Sequence, residues 1–260
     1  MQTKKILLFA SGSANGGGSG FENLVRRSKI DDFNIEIIAV VSNHAHGGVH
    51  RYAEMHCVPF YFFSSGEWSA PEYREIFQKY PHDLLALSGW LKPMRGNDKT
   101  RTINIHPARL PRFGGKRMHG DNIHAAVLEA YRKGEVSYSG VSIHFVPDYE
   151  DAGYDQGPVF FDYWVPVREG DTIETLKKRV SIAEHHWQPY ITSLVAHGQI
   201  YWDTSSNKII VPPGYPFLPK SVSHRRTTRT TATGSIDNSP GSSTDDSRLR
   251  GARQEETLQA

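Results

Sequence analysis

The sequence predicts an α/β fold in which helices flank a mostly parallel, Rossmann-like sheet, followed by a disordered C-terminal tail. Apolar runs of strand length alternate with segments of helical period as far as about residue 200, which is typical of such sheets. The composition then changes near Pro219, after which large apolar residues almost disappear. A chain of 260 residues with 38% hydrophobic content can bury one full core. We therefore expect a domain over residues 1–217 and a disordered tail over residues 218–260.

The first half of the chain has the pattern of parallel strands. Its apolar runs predict five strands, over residues 5–10, 35–42, 59–63, 84–87 and 102–105. Ser69 and Pro71 predict the start of an intervening helix that reaches Lys79. A serine can cap the free N–H groups there, and an early proline loses no helical hydrogen bond.

The second half predicts an antiparallel continuation of the sheet. A helix is expected over residues 121–133, and strands over residues 139–146 and 159–167. The segment 171–174 opens a long helix that reaches about His197. Two short strands, around Ile200 and Ile209, close the predicted domain.

Charge and cysteine content narrow the class of protein. The net charge of +2 is spread along the chain, which does not indicate nucleic-acid binding. A basic arm at residues 225–229 is a disfavoured alternative, because acidic residues follow it closely. The single cysteine, Cys57, excludes an internal disulfide, and the first apolar run is too short for a signal or membrane segment. We expect a cytoplasmic protein with no membrane or nucleic-acid partner.

A glycine-rich turn, residues 11–20, follows the first predicted strand. Backbone N–H groups and the positive end of a helix can there face an anion, typically a phosphate. The turn has neither the lysine of a Walker loop nor the glycine register of a dinucleotide site. A flexible surface loop remains the alternative interpretation.

Three polar residues predict a second site. Strand alternation places Asn104 and His106 on the same side, at the carboxyl end of a strand where open α/β proteins bind ligands. With Asp155, they supply an oxyanion donor, a proton shuttle and an orienting charge, which acyl transfer requires. Each residue alone has a structural interpretation, as a turn cap, a buried hydrogen-bond donor or a turn residue. The joint pattern favours a functional one.

These motifs occur in an order that resembles a known family. The order is the glycine-rich turn, Val41-Ser42-Asn43, Ser88-Gly89-Trp90-Leu91-Lys92, Asn104-Ile105-His106-Pro107, residues 140–146, and Asp155-Gln156-Gly157-Pro158. Residues 4 to about 203 are similar in this respect to the folate-dependent formyltransferases that act on phosphoribosylglycinamide. The resemblance implies formyl transfer from 10-formyltetrahydrofolate to the amine of 5-phosphoribosylglycinamide in de novo purine biosynthesis. It implies two small-molecule partners and no metal. The sequence leaves open whether the protein is a monomer or a homodimer.

The resemblance also assigns roles to individual residues. The catalytic residues would be Asn104, His106 and Asp155. The donor would contact Leu91, Lys92, Pro93, His144 and Val146, and the acceptor Gly18, Ser19, Gly20 and Glu184. The glycine turn is longer than the family's usual form, and Gly20 stands where a polar side chain is common, so phosphate contact there must rely on the backbone. Asp148 and Asp151 compete with Asp155, which is favoured because Gln156-Gly157-Pro158 follows it.

Other functions stay open at this point. Formyltetrahydrofolate deformylase uses the same three residues but passes the formyl group to water, and a sugar-nucleotide N-formyltransferase is a further enzyme alternative. A folate- or nucleotide-binding module without catalysis is the alternative from another class, against which the intact trio argues. His44, His46 and His50 could ligate zinc, but no carboxylate or second cysteine completes a set beside Cys57.

Overall fold

A seven-stranded sheet forms the centre of the molecule in the computed structural model, which describes residues 2–219. Its strands are β1 Lys4–Phe9, β2 Ile35–Ser42, β3 Phe60–Phe62, β4 Leu84–Ser88, β5 Thr102–His106, β6 Tyr138–Phe145 and β7 Val159–Pro166. The helices are α1 Ser19–Ile30, α2 Gly48–His56, α3 Ala70–Lys79, α4 Asp121–Arg132, α5 Tyr149–Ala152 and α6 Ile173–Ala196. A separate two-stranded sheet consists of β8 Tyr201–Asp203 and β9 Lys208–Ile210.

The spatial order of the strands, β3-β2-β1-β4-β5-β6-β7, explains where a ligand can bind. The first five strands are parallel, and β6 and β7 continue the sheet antiparallel. The order reverses between β1 and β4, and the loops after these two strands diverge there to leave a crevice at the carboxyl edge. The predicted α/β class, the parallel first half and the antiparallel continuation are confirmed.

Alternation along the strands divides the core into two clusters. In β1, Ile6 and Leu8 face the cluster to which α1, α4 and α6 contribute, whereas Leu7 and Phe9 face a smaller cluster that contains Tyr73 of α3. These four side chains of β1 are fully buried, whereas Lys4 and Lys5 at its start are not. Because both faces of the sheet are covered, the central strands carry apolar residues on both faces, as Ile6-Leu7-Leu8-Phe9 of β1 does.

The predicted boundaries agree with the structure to within one or two residues. Helix α3 begins after Ser69, where Ser69 and Glu72 form a reciprocal capping box. Helix α6 begins after Thr172 and ends before His197, as its predicted range requires. No helix between residues 2 and 219 combines the length and the apolar character that a membrane span requires.

The chain after β9 returns to the domain through Phe217. Its ring packs against Phe161 and Trp187, with centroids 4.9 and 4.7 Å away. Its carbonyl accepts a hydrogen bond of 2.8 Å from the amide of Asp162 in β7. The proposed domain boundary at residue 217 thus follows a packed residue. Apart from Leu218 and Pro219, the predicted disordered tail lies outside the described residues.

Candidate active site

Asn104 lies at the centre of a polar cluster that joins two neighbouring strands. The register of β5 and β6 pairs Asn104 with His144. The Nδ1 atom of His144 is 2.8 Å from the Phe145 carbonyl, so it carries the proton and leaves Nε2 as an acceptor. The Asn104 amide therefore donates to His144 Nε2 at 3.1 Å and to Asp155 Oδ1 at 3.3 Å. These contacts fix the orientation of the amide, with its nitrogen toward the cluster.

His106, two residues further along β5, is buried and held from both sides. Its Nε2 donates to the carbonyl of Phe113 at 2.7 Å, and its Nδ1 lies 3.7 Å from Asp155 Oδ1. Burial lowers the pKa of His106 because a charged imidazole loses hydration there. The charge of Asp155 and the hydrogen bond to Phe113 act in the opposite direction and favour the protonated form.

Asp155 is placed by a backbone conformation that is uncommon for a residue with a side chain. Its φ of 57° lies in the left-handed region, and its Oδ2 accepts a 2.9 Å hydrogen bond from the Gly115 amide. Burial alone would raise the pKa of Asp155. The positive charges that His144 and His106 carry when protonated, together with the Gly115 amide, outweigh burial and hold this pKa below its ordinary value. The carboxylate therefore carries its charge at neutral pH.

The two competing carboxylates have other environments. Asp148 accepts hydrogen bonds from the Gly96 amide at 2.7 Å and from the Glu150 amide at 3.1 Å, so it caps α5 and anchors that loop. Asp151 is exposed on α5. Of the three, only Asp155 reaches both Asn104 and His106.

A cavity of about 320 Å³ opens onto this cluster. Asn104, His106 and Asp155 line it together, between the loop 89–91 after β4 and the loop 115–120 after β5. A smaller cavity of about 40 Å³ adjoins it and shares Asn104 and Asp155 with it. Lys92, His144 and Val146 line the smaller cavity, whereas Leu91 lines the larger one.

The glycine-rich turn leads directly into α1, beside the larger cavity. Gly18 precedes the helix with a φ of 86°, and no side chain caps the first turn. A Cβ atom on Gly20 would lie 2.5 Å from the Ser88 hydroxyl, so any larger residue here would require the Ser88 side chain to move. Ser11 at the start of the turn accepts a 3.0 Å hydrogen bond from the Leu91 amide, which ties the turn to the cavity wall.

Glu184 lies near the same helix start without lining either cavity. It is one helical turn before Gln188, whose Oε1 is 3.5 Å from a Cβ placed on Gly20. Burial raises the pKa of Glu184 to about 7. Its carboxyl group has no hydrogen-bond or ion-pair partner among residues 2–219.

Comparison with known proteins assigns the chain to a family. The model of the formyl transferase family matches residues 4–192. The chain belongs to the formyl transferase family.

Two curated relatives and one solved structure of the family are informative. The chloroplastic phosphoribosylglycinamide formyltransferase of Arabidopsis thaliana is 32% identical over 209 residues, which cover 76% of this chain and 68% of the relative. The phosphoribosylglycinamide formyltransferase of Bacillus subtilis is 31% identical over 198 residues, 72% of this chain and 92% of the relative. The crystal structure of glycinamide ribonucleotide transformylase 1 from Symbiobacterium toebii superposes with a TM-score of 0.68 at 25% identity, covering 80% of this chain and 94% of that one.

For this formyltransferase, the structure differs from the sequence prediction in what surrounds the site. Pro93 lines neither cavity, and its carbonyl instead accepts a 2.7 Å hydrogen bond from the Tyr73 hydroxyl. Sequence reasoning missed Tyr154, which lines both cavities, and the loop segment 116–120. The only local signal for that loop is Gly114-Gly115, where Gly115 has a φ of 101°.

The histidines considered for zinc lie near the glycine turn. The rings of His46 and His50 are 5.7 Å apart, and His50 Nδ1 is 3.5 Å from a carboxylate oxygen of Glu54. Across residues 2–219, no group of three or more His, Cys, Asp or Glu side chains is arranged to hold a metal ion.

Proposed function

We propose that this formyltransferase moves the formyl group of 10-formyltetrahydrofolate to the amine of 5-phosphoribosylglycinamide. Relatives that match most of the chain are named phosphoribosylglycinamide formyltransferases. The observation that carries the proposal is the meeting of Asn104, His106 and Asp155 in one cavity, because each supplies a different function that acyl transfer to an amine needs.

The catalytic roles follow from charge and geometry. The amine nitrogen attacks the formyl carbon, and the new C–N bond leaves negative charge on the formyl oxygen. The Asn104 amide stabilises that oxyanion by exchanging its 3.3 Å contact with Asp155 for the formyl oxygen, and the protonated imidazole of His106 donates from Nδ1. Asp155 supports the imidazolium from 3.7 Å and accepts the proton that the amine loses, directly or through a water. The bond from the formyl carbon to N10 of the donor then breaks, and N10 takes a proton from His106.

The sheet order supports separate positions for the two substrates. The glycine turn follows β1 and Asn104 lies in β5, with β4 between them. Two strand spacings separate these positions by about 10 Å. An acceptor can therefore place its phosphate at Gly18, Ser19 and Gly20 and its amine at Asn104. Glu184, near the start of α1, would receive the ribose hydroxyls.

The donor occupies the other side of the β4 loop in this proposal. The smaller cavity, lined by Lys92, His144 and Val146, would hold part of the folate, and Leu91 would contact the donor in the larger cavity. Pro93 contributes indirectly, because its carbonyl binds Tyr73 and so supports the loop.

The decisive experiment follows 10-formyltetrahydrofolate spectroscopically with and without 5-phosphoribosylglycinamide. We expect its loss to require the acceptor and to match the formylated product mole for mole. Equal loss without acceptor would indicate hydrolysis, as in a deformylase, and no loss would indicate a binding protein. Formylation of an amino sugar nucleotide in place of the glycinamide would contradict the proposed acceptor.

A further inference from the structure

The turn of residues 107–115, which follows β5, holds two of the proposed catalytic groups through its backbone. The carbonyl of Phe113 accepts the 2.7 Å hydrogen bond from His106 Nε2, and the amide of Gly115 donates to Asp155 Oδ2 at 2.9 Å. The sheet fixes the backbone of His106, but these two contacts set the direction of the imidazole ring and of the carboxylate. Because Nε2 is occupied, Nδ1 is the nitrogen that faces Asp155. Whatever fixes this turn therefore acts on both groups.

A row of three side chains across the sheet lies under this turn. The antiparallel register pairs His106 of β5 with Ser142 of β6, and Ser142 with Asp162 of β7. Opposite residues of an antiparallel pair point to the same face of the sheet, so the three side chains lie side by side. Ser142 is buried, and its hydroxyl accepts a 3.1 Å hydrogen bond from the amide of Leu110. The turn is thus bound to the same row in which His106 lies.

Arg109 binds the turn to the far end of the row. Its guanidinium donates two hydrogen bonds to the carboxylate of Asp162, from Nε at 3.0 Å and from Nη2 at 2.8 Å. The side chain of Asp162 is only 4% exposed, and it also accepts a 3.0 Å hydrogen bond from the indole of Trp164. The guanidinium lies 4.1 Å from the centre of the Trp164 ring. A bidentate and stacked guanidinium is held in one orientation.

The path of the Arg109 side chain depends on a glycine in β6. A Cβ atom on Gly140 would lie 2.6 Å from Arg109 Cγ, so the arginine stem passes directly over the strand where the strand has no side chain. The carbonyl of Arg109 accepts a 3.2 Å hydrogen bond from the amide of Phe113, the residue whose own carbonyl binds His106. The contacts therefore run without a gap from Asp162 through Arg109 and Phe113 to the imidazole.

The other arginine of the turn has a different environment. Arg112 forms an ion pair with Glu135, and both side chains are about half exposed. An exposed ion pair contributes little to stability, whereas the loss of one partner of a buried pair has a large effect. Of these two arginines, Arg109 is the one that reaches into the sheet.

We infer that Arg109 is a positioning residue for catalysis, which binds the turn 107–115 to Asp162 and so keeps His106 Nδ1 directed toward the cavity and Asp155 beside it. The inference rests on the proposed function, because it takes His106 and Asp155 to act in formyl transfer. Displacement of a catalytic group by about 1 Å can lower a rate by about 100-fold. Arg109 and Asp162 line neither cavity, so their loss should lower kcat without weakening the binding of either substrate.

The test compares variants of the full chain in steady-state formyl transfer. We expect Arg109→Met to lower kcat by about 10- to 100-fold and to change the KM of each substrate by less than about twofold. The double variant Arg109→Met/Asp162→Asn removes the same contact without leaving a buried charge unpaired, and it should show the same changes. Arg112→Met is the matched control, because it makes the same exchange in the same turn at an exposed ion pair. It should change kcat by less than about twofold.

The pH profile of kcat separates positioning from a loss of stability. Burial and the charge of a protonated His144 lower the pKa of His106, whereas the charge of Asp155 and the hydrogen bond to Phe113 raise it. In Arg109→Met the two contacts that raise this pKa weaken, so the alkaline limb of kcat should move to lower pH. A loss of stability alone, followed by urea unfolding of the same samples, would reduce the amount of active enzyme without moving that limb.

An NMR titration of the His106 imidazole without substrates measures the same shift in the absence of turnover, with the signal identified by its loss in His106→Gln. Two outcomes would overturn the inference. One is a folded Arg109→Met whose kcat stays within about threefold of the wild type. The other is a fall in kcat with neither the alkaline limb nor the His106 titration displaced, which would make Arg109 a residue of stability alone. If the titration moves but the wild-type chain transfers no formyl group, the proposed function fails and the positioning by Arg109 stands.

Discussion

Replacement of Asp155 by asparagine tests the electrostatic basis of the proposed mechanism. The substitution keeps the shape of the side chain and an oxygen for the Gly115 amide, but removes the charge 3.7 Å from His106 Nδ1. At an effective dielectric constant of about 20, two unit charges at this separation interact by about 4 to 5 kcal/mol. Screening by the open cavity reduces that figure, so a loss of about 3 to 4 kcal/mol is expected in the transition state.

This energy corresponds to a fall in kcat of about 10² to 10³ at pH 7.5. The variant should also change the pH profile. Without the carboxylate, burial lowers the pKa of His106 further, so the imidazole loses its proton at a lower pH. Since the protonated form is the active one, the alkaline limb of kcat should move to lower pH.

The assay is kcat from about pH 5.5 to 9 at saturating concentrations of both substrates, with urea unfolding of the same samples. Asp151→Asn is the matched control, because it makes the same exchange at an exposed carboxylate four residues away. It should change kcat by less than about twofold. Retention of more than a tenth of wild-type activity by Asp155→Asn would refute the reasoning. So would a loss of activity that only parallels a loss of stability.

Three further predictions concern the acceptor, the buried histidine and the C-terminal segment. Gly18→Val should raise the acceptor's KM in steady-state assays and leave the donor's KM nearly unchanged. The reason is that Gly18 has a φ of 86°, and a Cβ there would lie 3.0 Å from the Val49 amide nitrogen. An equal rise in the KM of both substrates would contradict this prediction. Burial lowers the pKa of His124 to about 4, so the folded state binds fewer protons than the unfolded state below about pH 6.5. Its contribution to stability is therefore complete above that pH and is lost as the pH falls toward 4. Between pH 7.5 and pH 5, the loss in the free energy of unfolding, measured with urea, should be about 2 kcal/mol smaller for His124→Gln than for the wild type. An equal loss in both proteins would show that His124 does not cause the pH dependence. Phe217→Ala should lower the free energy of unfolding by about 1 to 3 kcal/mol. A chain that ends at Pro219 should instead keep its activity and its melting temperature. A fall in its melting temperature of more than about 5 °C would contradict this prediction.

The sequence was sufficient to predict that the two site residues of β5 lie together. Asn104 and His106 are two positions apart on β5, so alternation alone predicts that they face one cavity. The start of α3 was predictable for a similar reason, since the capping box of Ser69 and Glu72 is local in the chain.

The rest of the site depends on contacts between distant segments. Asn104 meets His144 only because β5 and β6 pair antiparallel in one register, which the apolar pattern does not specify. Asp155 could not be separated from Asp148 by spacing alone, because the choice depends on the Gly115 amide and on the cap that Asp148 forms for α5. The loop 116–120 has no strand or helix pattern, and its position depends on the packing of Met118 against the core.

The site combines residues on strands with residues on loops. The sequence of the loops can therefore vary without disturbing the residues that the sheet holds in place. Asn104 and His106 lie on β5, which is paired on both sides, so the sheet fixes the positions of these two proposed catalytic groups. Substrate contacts are assigned to the glycine turn after β1 and to the loop after β4, where insertions leave the sheet intact. Asp155 is the exception, because this proposed catalytic group lies on a loop. Its carboxylate binds the amide of Gly115, directly before Lys116. Any change in the loop after β5 must therefore preserve that hydrogen bond if Asp155 is to keep its position.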